Sequence, residues 1–321
     1  MPDGAYTAKV ELDGGPYLGR LEGERTIQIK NPSGNWIGVS RSCLRTLSRG
    51  GRVIWIRSKR KKNAMRIFIH TDLEGISGID SMEMIEPAHP RRREANELLM
   101  ADVNAAVAGA FKGGATHVTV LDKHTGGGNF IVELLDRRAE NDTTERANWS
   151  GKMDRSYAGT FFIGAHAMAG TQNGFLDHMK MDGWHNFWLN GRRIGELGMW
   201  ATFAGNFGIP MLMVSGDEAA CVEARQFFSP VETATVKRGV GRNRAELVPL
   251  EEARGRIREA ARRAISLVGR ARPFLPSKPM EIRLELDRCD YCDRLAGKPG
   301  NERLGPRVIR RVTSDPLDIF P

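Results

Sequence analysis

Four short runs of apolar, mostly aliphatic or β-branched residues recur along this chain. They are Arg66–Thr71, His117–Leu121, Thr160–Gly164 and Pro210–Val214. Runs this short that stay apolar, rather than alternating with polar residues, belong to strands buried on both faces. Interspersed with them are stretches with helical spacing, Arg92–Phe111, Leu197–Phe207, Glu218–Phe228 and Leu250–Leu267. Gly113-Gly114 stops the first helix, since glycine takes the left-handed C-terminal position without a Cβ clash. Strands alternating with helices predict an α/β fold with a mainly parallel sheet and helices on both faces. Asn186–Asn190, the Asn190-Gly191 turn and Arg192–Ile194 read as a hairpin. Met280–Leu286 and Arg307–Val312 read as closing strands after a linker, Pro273–Pro279. The sequence shows no internal repeat.

Composition narrows the class. Of 321 residues, 40% are hydrophobic and 27% charged, an ordinary globular balance. The sequence has no apolar run near 18 residues, so no membrane span is expected. Met1–Leu12 lacks the blocks of a signal peptide, and four cysteines make no disulfide framework. A cytoplasmic location follows as the expectation. The net charge of +9 sits almost wholly in residues 1–64, with 13 Lys/Arg against 5 Asp/Glu, leaving 35 against 34 in the rest. Ala8–Leu12 and Thr26–Lys30 in that segment look like short strands. No zinc-finger, RNP or helix-turn-helix signature accompanies the charge, so a nucleic-acid partner is not expected and the basic run reads as solvated. Cys289 and Cys292 form a lone CxxC, read as two reduced thiols near a turn because no second pair completes a zinc site.

Open parallel sheets place their sites at the carboxyl ends of the strands. Those ends are rich in metal-type ligands here. Asp72 and Glu74 follow the first strand, Asp122 and His124 the second, and His166 the third. Glu196 precedes a helix, and Asp217 follows the strand at Met211–Val214. Carboxylates mixed with imidazoles suit zinc, manganese or cobalt, and five such ligands fit two ions sharing one carboxylate. Each residue also has a plainer role. Asp122 and Asp217 stand where helix-capping aspartates stand, and a single histidine after a strand is commonly a satisfied polar group. Spacing alone leaves both readings open.

The motifs go further. Asp72-Leu-Glu-Gly-Ile-Ser-Gly, Asp122-Lys-His124 with Asn129 five residues on, Gly164-Ala-His166-Ala-Met-Ala-Gly, Gly195-Glu196-Leu-Gly and Val214-Ser-Gly-Asp217 occur in order. Together they resemble the zinc D-aminopeptidases associated with dipeptide-transport operons, over Met65 to about Ile319. That resemblance implies a site of two zinc ions per subunit, held by Asp72, Glu74, His124, His166 and Glu196, with Asp72 as the shared carboxylate. It implies a catalytic histidine at His178, after Asp177; His185 is the rival, and packing against Trp184 is the plainer role for His178. It also implies a metallo-aminopeptidase that releases N-terminal, D-configured residues from short peptides, and a homo-oligomer. A metal-dependent hydrolase of another amide or ester, or a binding module without turnover, is the alternative. Three departures bear on substrate choice: Lys123 beside the ligand histidine, the run Gly126-Gly127-Gly128, and Met179-Lys180 after His178. The family's chains begin where Met65 stands. Residues 1–64 are therefore expected to be a basic extension, disordered or arising from a start codon assigned too early, and 65–321 the catalytic region.

Overall fold

The computed structural model describes residues 64–144, 151–180 and 183–321, together with five strands within residues 7–56. The chain divides into two compact units, Met1–Asn63 and Ala64–Pro321. In the first, β1 (Thr7–Leu12), β2 (Gly15–Glu22), β3 (Thr26–Lys30), β4 (Trp36–Ser40) and β5 (Val53–Ile56) form an antiparallel sheet in the order β4-β3-β2-β1-β5.

The second unit carries two sheets. Its elements in order begin with β6 (Arg66–Thr71), α1 (Arg92–Gly113), β7 (His117–Asp122), β8 (Ala139–Asn141) and β9 (Tyr157–Ala165). Next come β10 (Trp184–Leu189), β11 (Arg192–Arg193), α2 (Glu196–Asn206), β12 (Met211–Asp217) and α3 (Glu218–Phe227). The chain closes with β13 (Glu232–Gly241), β14 (Arg244–Leu247), α4 (Leu250–Ala264), β15 (Met280–Leu286), α5 (Cys289–Ala296), β16 (Asn301–Gly305) and β17 (Val308–Thr313). The main sheet has seven strands in the order β14-β13-β12-β9-β6-β7-β8, parallel except for the edge pair β13–β14. The second is antiparallel, in the order β11-β10-β15-β17-β16.

Strand alternation explains the two layers. Side chains of successive strand residues point to opposite faces. In β6, Ile67 and Ile69 enter one core with Val103, Val107, Ile257 and Ala261 of α1 and α4, while Phe68 enters the other. That second core holds Phe162 of β9, Trp200 and Phe203 of α2, Ala220 and Ala224 of α3, and Leu284 of the second sheet. The main sheet is thus covered by helices on both faces, the α/β architecture expected from the sequence. Phe68, fully buried, contributes about 1.5–3 kcal/mol by leaving water.

Some elements have no counterpart in the sequence reading. β13 carries Lys237 and Arg238 within its run, which breaks the apolar signature of a buried strand. α5 has eight residues, too few turns to display a helical period. The Cys289/Cys292 pair, expected near a turn, lies at the start of α5 as free thiols, Cys292 buried and Cys289 exposed. No helix of the described residues is long and apolar enough to cross a membrane.

Close backbone contacts lock the carboxyl ends of β6, β9 and β12 together. A Cβ on Gly75 would lie 2.0 Å, and on Gly216 2.1 Å, from the Ala165 carbonyl oxygen. Gly164, with φ +85°, would place a Cβ 2.1 Å from the Asp72 carbonyl. Neither side of such a contact is a flexible side chain, so backbone must shift. Gly216→Ala is expected to cost about 1–3 kcal/mol of folding stability, read from urea unfolding. A midpoint equal to that of the unsubstituted protein would show that this packing is looser than it looks.

Candidate metal centre

Six side chains converge on the carboxyl end of the main sheet. Asp72 leaves β6 directly, and Glu74 lies in the turn that follows. His124 opens the 3-10 turn after β7, His166 follows β9, and Glu196 begins α2. His178 is carried on a loop that forms an isolated bridge with Met168. Asp72, Glu74, His124 and His166 are buried.

The distances describe two adjoining groups. Asp72, Glu74 and His124 offer ligand atoms within 4.8 Å of one another, and so do His166, His178 and Glu196. His124 Nε2 lies 3.2 Å from Glu74 Oε1. His166 Nε2 lies 3.3 Å from Glu196 Oε1 and 3.6 Å from Asp72 Oδ2, so Asp72 reaches both groups. His178 Nε2 lies 3.8 Å from Glu74 Oε1 and 3.9 Å from Glu196 Oε1. Its ring stacks on His166, centroids 3.9 Å apart, rather than on Trp184. The His178 side chain is 37% exposed against 1% for His166, so solvent reaches one imidazole and not the other.

Backbone carbonyls set the imidazole tautomers. His166 Nδ1 lies 3.0 Å from the Ala167 carbonyl, and His178 Nδ1 lies 2.7 Å from that of Leu176. A carbonyl only accepts, so each Nδ1 carries a proton and each Nε2 is the nitrogen aimed at the carboxylates. Metal-binding histidines are held in this way. His166 Nε2 is buried without a hydrogen-bond partner, a costly state that a cation relieves.

Electrostatics agree with a site built for positive charge. Burial, then the neighbouring Glu74, pushes the Asp72 carboxyl well above the usual carboxylate range. Burial opposes ionisation of Glu74 too, but His124, His178 and His166 hold it well below that range. Burial opposes protonation of His166, yet Glu196, Asp72 and Glu74 raise its pKa well above an ordinary imidazole. His178 is pulled down, by burial and then by His166.

The remaining candidates take structural places. Asp217 caps α3, accepting from Ala220 N at 3.0 Å, and also accepts from Phe175 N. Asp122 accepts from Asn129 N, Asn129 Nδ2 and Phe130 N, while Asn129 Nδ2 also donates to the His124 carbonyl. Asp217 is thus a helix cap, whereas Asp122 caps no helix and instead pins the loop at Asn129 and Phe130. His185 lies 3.7 Å from Asp287 and is about half exposed.

Two supporting residues escape a sequence reading. Lys237 of β13 is fully buried and donates to the carbonyls of Glu74 and Ile79, both at 2.7 Å. Its ammonium lies 4.5 Å from the centre of the Phe175 ring, on the segment leading to His178. One cation thereby ties the Asp72–Glu74 loop to the His178 loop. Burial pulls its pKa down to about 7, against the pull of Asp217 and Asp102. In sequence it is a lysine in a strand, indistinguishable from a solvated one. Glu223 of α3 is also buried; it accepts from Met168 N at 2.9 Å, and burial raises its pKa to about 7. A Cβ on Gly195 would lie 2.7 Å from Glu223 Oε1, which explains a glycine beside Glu196.

Lys237→Met would leave the Glu74 and Ile79 carbonyls without their donor, at about 1–3 kcal/mol for each buried group left unsatisfied. The expected result is a lower thermal midpoint of the metal-free protein together with weaker metal binding by calorimetry. Unaltered metal affinity would remove Lys237 from the support of the site.

A family model for D-aminopeptidases matches residues 65–321. A D-aminopeptidase of Bacillus subtilis (strain 168) is 28% identical over 260 residues, spanning 80% of this chain and 94% of that protein. A solved structure, that of the Zn-dependent D-aminopeptidase DppA from Bacillus subtilis, a self-compartmentalizing protease, matches with a TM-score of 0.76 and 27% identity. The match covers 79% of this chain and 94% of that one. The family resemblance drawn from the motifs and the α/β architecture are both borne out. With a model match running from Met65 to the last residue, the chain belongs to the D-aminopeptidase family of peptidases.

Proposed function

We propose that this protein is a zinc-dependent aminopeptidase that releases N-terminal D-amino acids from short peptides. The observation that carries this reading is the pair of ligand groups, Asp72/Glu74/His124 and His166/His178/Glu196, meeting at one strand-end site. Three carboxylates and imidazoles whose Nε2 atoms face inward form a donor set that fits zinc. Asp72, Glu74, His124, His166 and Glu196 would hold two ions, with Asp72, in reach of both groups, as the shared ligand. When bound, zinc supplies Lewis-acid polarisation of the scissile carbonyl and neutralises developing negative charge.

The chain's own residues do the rest. The acidic side chains of the site anchor the free amine of the substrate. His178 is the catalytic residue. It is the imidazole of the cluster open to solvent, its Nδ1–H is fixed on the Leu176 carbonyl, and its Nε2 is left to accept a proton or attack the amide. Acting as base, the same nitrogen passes the proton taken from the attacking water to the leaving amine, and the acyl group departs as the free D-amino acid. The D-preference and the assembly of several copies into a closed particle are extended to this chain from its relatives. The basic unit of residues 1–63 lies outside the family match, and we assign it no part in the reaction.

Removal of zinc by EDTA should abolish hydrolysis of D-alanine p-nitroanilide, and added zinc should restore it. Hydrolysis that survives complete metal removal would refute the metallopeptidase reading. His178→Ala should keep the full zinc content by elemental analysis while kcat falls by about 10²–10⁴-fold. Loss of one zinc equivalent instead would make His178 a ligand.

A further inference from the structure

Beside the metal centre the structure opens a cavity of about 700 Å³, lined by Lys123, Gly127, Phe130, Asn141 and Thr144 among others. This volume is within the range of small-molecule sites. Leu121, Asp122 and Lys123 of this wall run up to His124, so the cavity adjoins the proposed zinc site along the chain itself.

Lys123 is the cation of this wall, and no described carboxylate is paired with it. The two nearby aspartates are already committed. Asp122 accepts three hydrogen bonds, from Asn129 N, Asn129 Nδ2 and Phe130 N. Asp142 accepts from Thr144 N at 3.0 Å and Lys152 N at 2.6 Å. Among the described residues Lys123 makes no ion pair and no hydrogen bond through its ammonium. Lys180, two residues past His178, holds its ammonium 4.7 Å from the centre of the Phe320 ring. Burial lowers its pKa; Glu196 opposes that shift and the field of Lys123 adds to it, so the two lysines lie near enough to feel each other.

The loop discriminates between anions. Gly126 N and Gly127 N are spent on the Lys123 and His124 carbonyls, at 3.2 and 2.9 Å. That leaves a single point charge rather than the fan of backbone donors that cradles a phosphate. Besides Lys123 and the two hydrogen-bonded aspartates, the wall mixes amide and hydroxyl groups of Asn141, Thr143 and Thr144 with apolar Leu121, Val132 and the Phe130 ring, a lining that suits a small organic carboxylate better than a phosphate. A short peptide whose amine is held at the carboxylates of the metal centre carries its opposite charge at the other end. Two extended residues span at most about 7 Å, so that end must be met by a group close to the site, and Lys123 is the cation next to His124 in the chain.

We propose that Lys123 and this cavity form a subsite for the free C-terminal carboxylate of a di- or tripeptide, making Lys123 a specificity-determining residue. The proposal rests on the aminopeptidase reading and deepens it. The enzyme would select substrates by charge at both ends, amine at the metal centre and carboxylate at Lys123. Peptides too long to reach Lys123 with their terminus would lose that contact.

The test compares D-Ala-D-Ala with its C-terminal amide on the zinc-loaded full-length protein. The wild-type protein should favour the free acid in kcat/KM, and rising salt should shrink that preference by screening. In Lys123→Met the acid-to-amide ratio should fall at least tenfold, through KM for the acid, while Lys123→Arg should keep most of it. A wild-type protein that treats acid and amide alike, or a ratio unchanged in Lys123→Met, overturns the proposal. Calorimetric binding of acid and amide gives the same ratio without turnover. Failure to cleave either peptide would therefore count against the aminopeptidase reading, while the binding ratio would still decide the role of Lys123.

Discussion

Burying several ionisable groups in one place is the constraint that shapes this protein. Asp72, Glu74, His124 and His166 are almost fully withdrawn from water within a few ångströms of one another. Charges in such a medium are costly unless paired or bound to a metal. Much of the surrounding structure holds them in register. Carbonyls of Ala167 and Leu176 orient the imidazoles, Asn129 ties Asp122 to the His124 carbonyl, and Lys237 clamps the Glu74 loop from beneath. Glycines at 75, 164 and 216 let the three strand ends come close enough for their loops to share a site.

The same constraint separates roles among residues of one type. His70 is buried against Trp200 and Phe162, ring centroids at 4.2 and 4.5 Å, and burial drives its pKa to about 3. It is a neutral core ring. His166 sits among carboxylates that raise its pKa, and His178 stands at the open edge of the cluster. Carboxylates divide in the same way. Asp122 and Asp217 spend their oxygens on backbone N–H groups, whereas Asp72 and Glu196 turn theirs toward His166. The surface charge obeys another logic. The basic excess of the chain lies in a separate compact unit, while Lys123 places a positive charge directly before His124 in the chain.

The strands and helices that frame the site were legible because their side chains obey simple periods. Continuous apolar runs marked β6, β7, β9 and β12, and helical spacing marked α1, α2, α3 and α4, with ends shifted by a few residues at most. The β13–β14 pair, β8, β16 and α5 were not, since each is short, at an edge or interrupted by charge. The candidate ligands stood out through motifs and their positions after strands. Their partners did not. Lys237 lies 163 residues from the carbonyl it binds at Glu74, and Glu223 55 residues from Met168, separations that no local pattern reports.

By itself, then, the sequence determined the α/β alternation, the strand-end placement of Asp72, Glu74, His124, His166 and Glu196, and the family to which they belong. Those follow from periodicity and local motif, which act over a few residues. Tertiary structure alone decided that Asp217 is a helix cap, that Asp122 pins the Asn129 loop, and that His178 stacks on His166 rather than Trp184. It also decided that a lysine of β13 is buried beneath the ligand loop. These outcomes depend on which distant groups fill the remaining hydrogen-bonding and charge-compensating positions around each side chain, and only the packed chain brings those groups together.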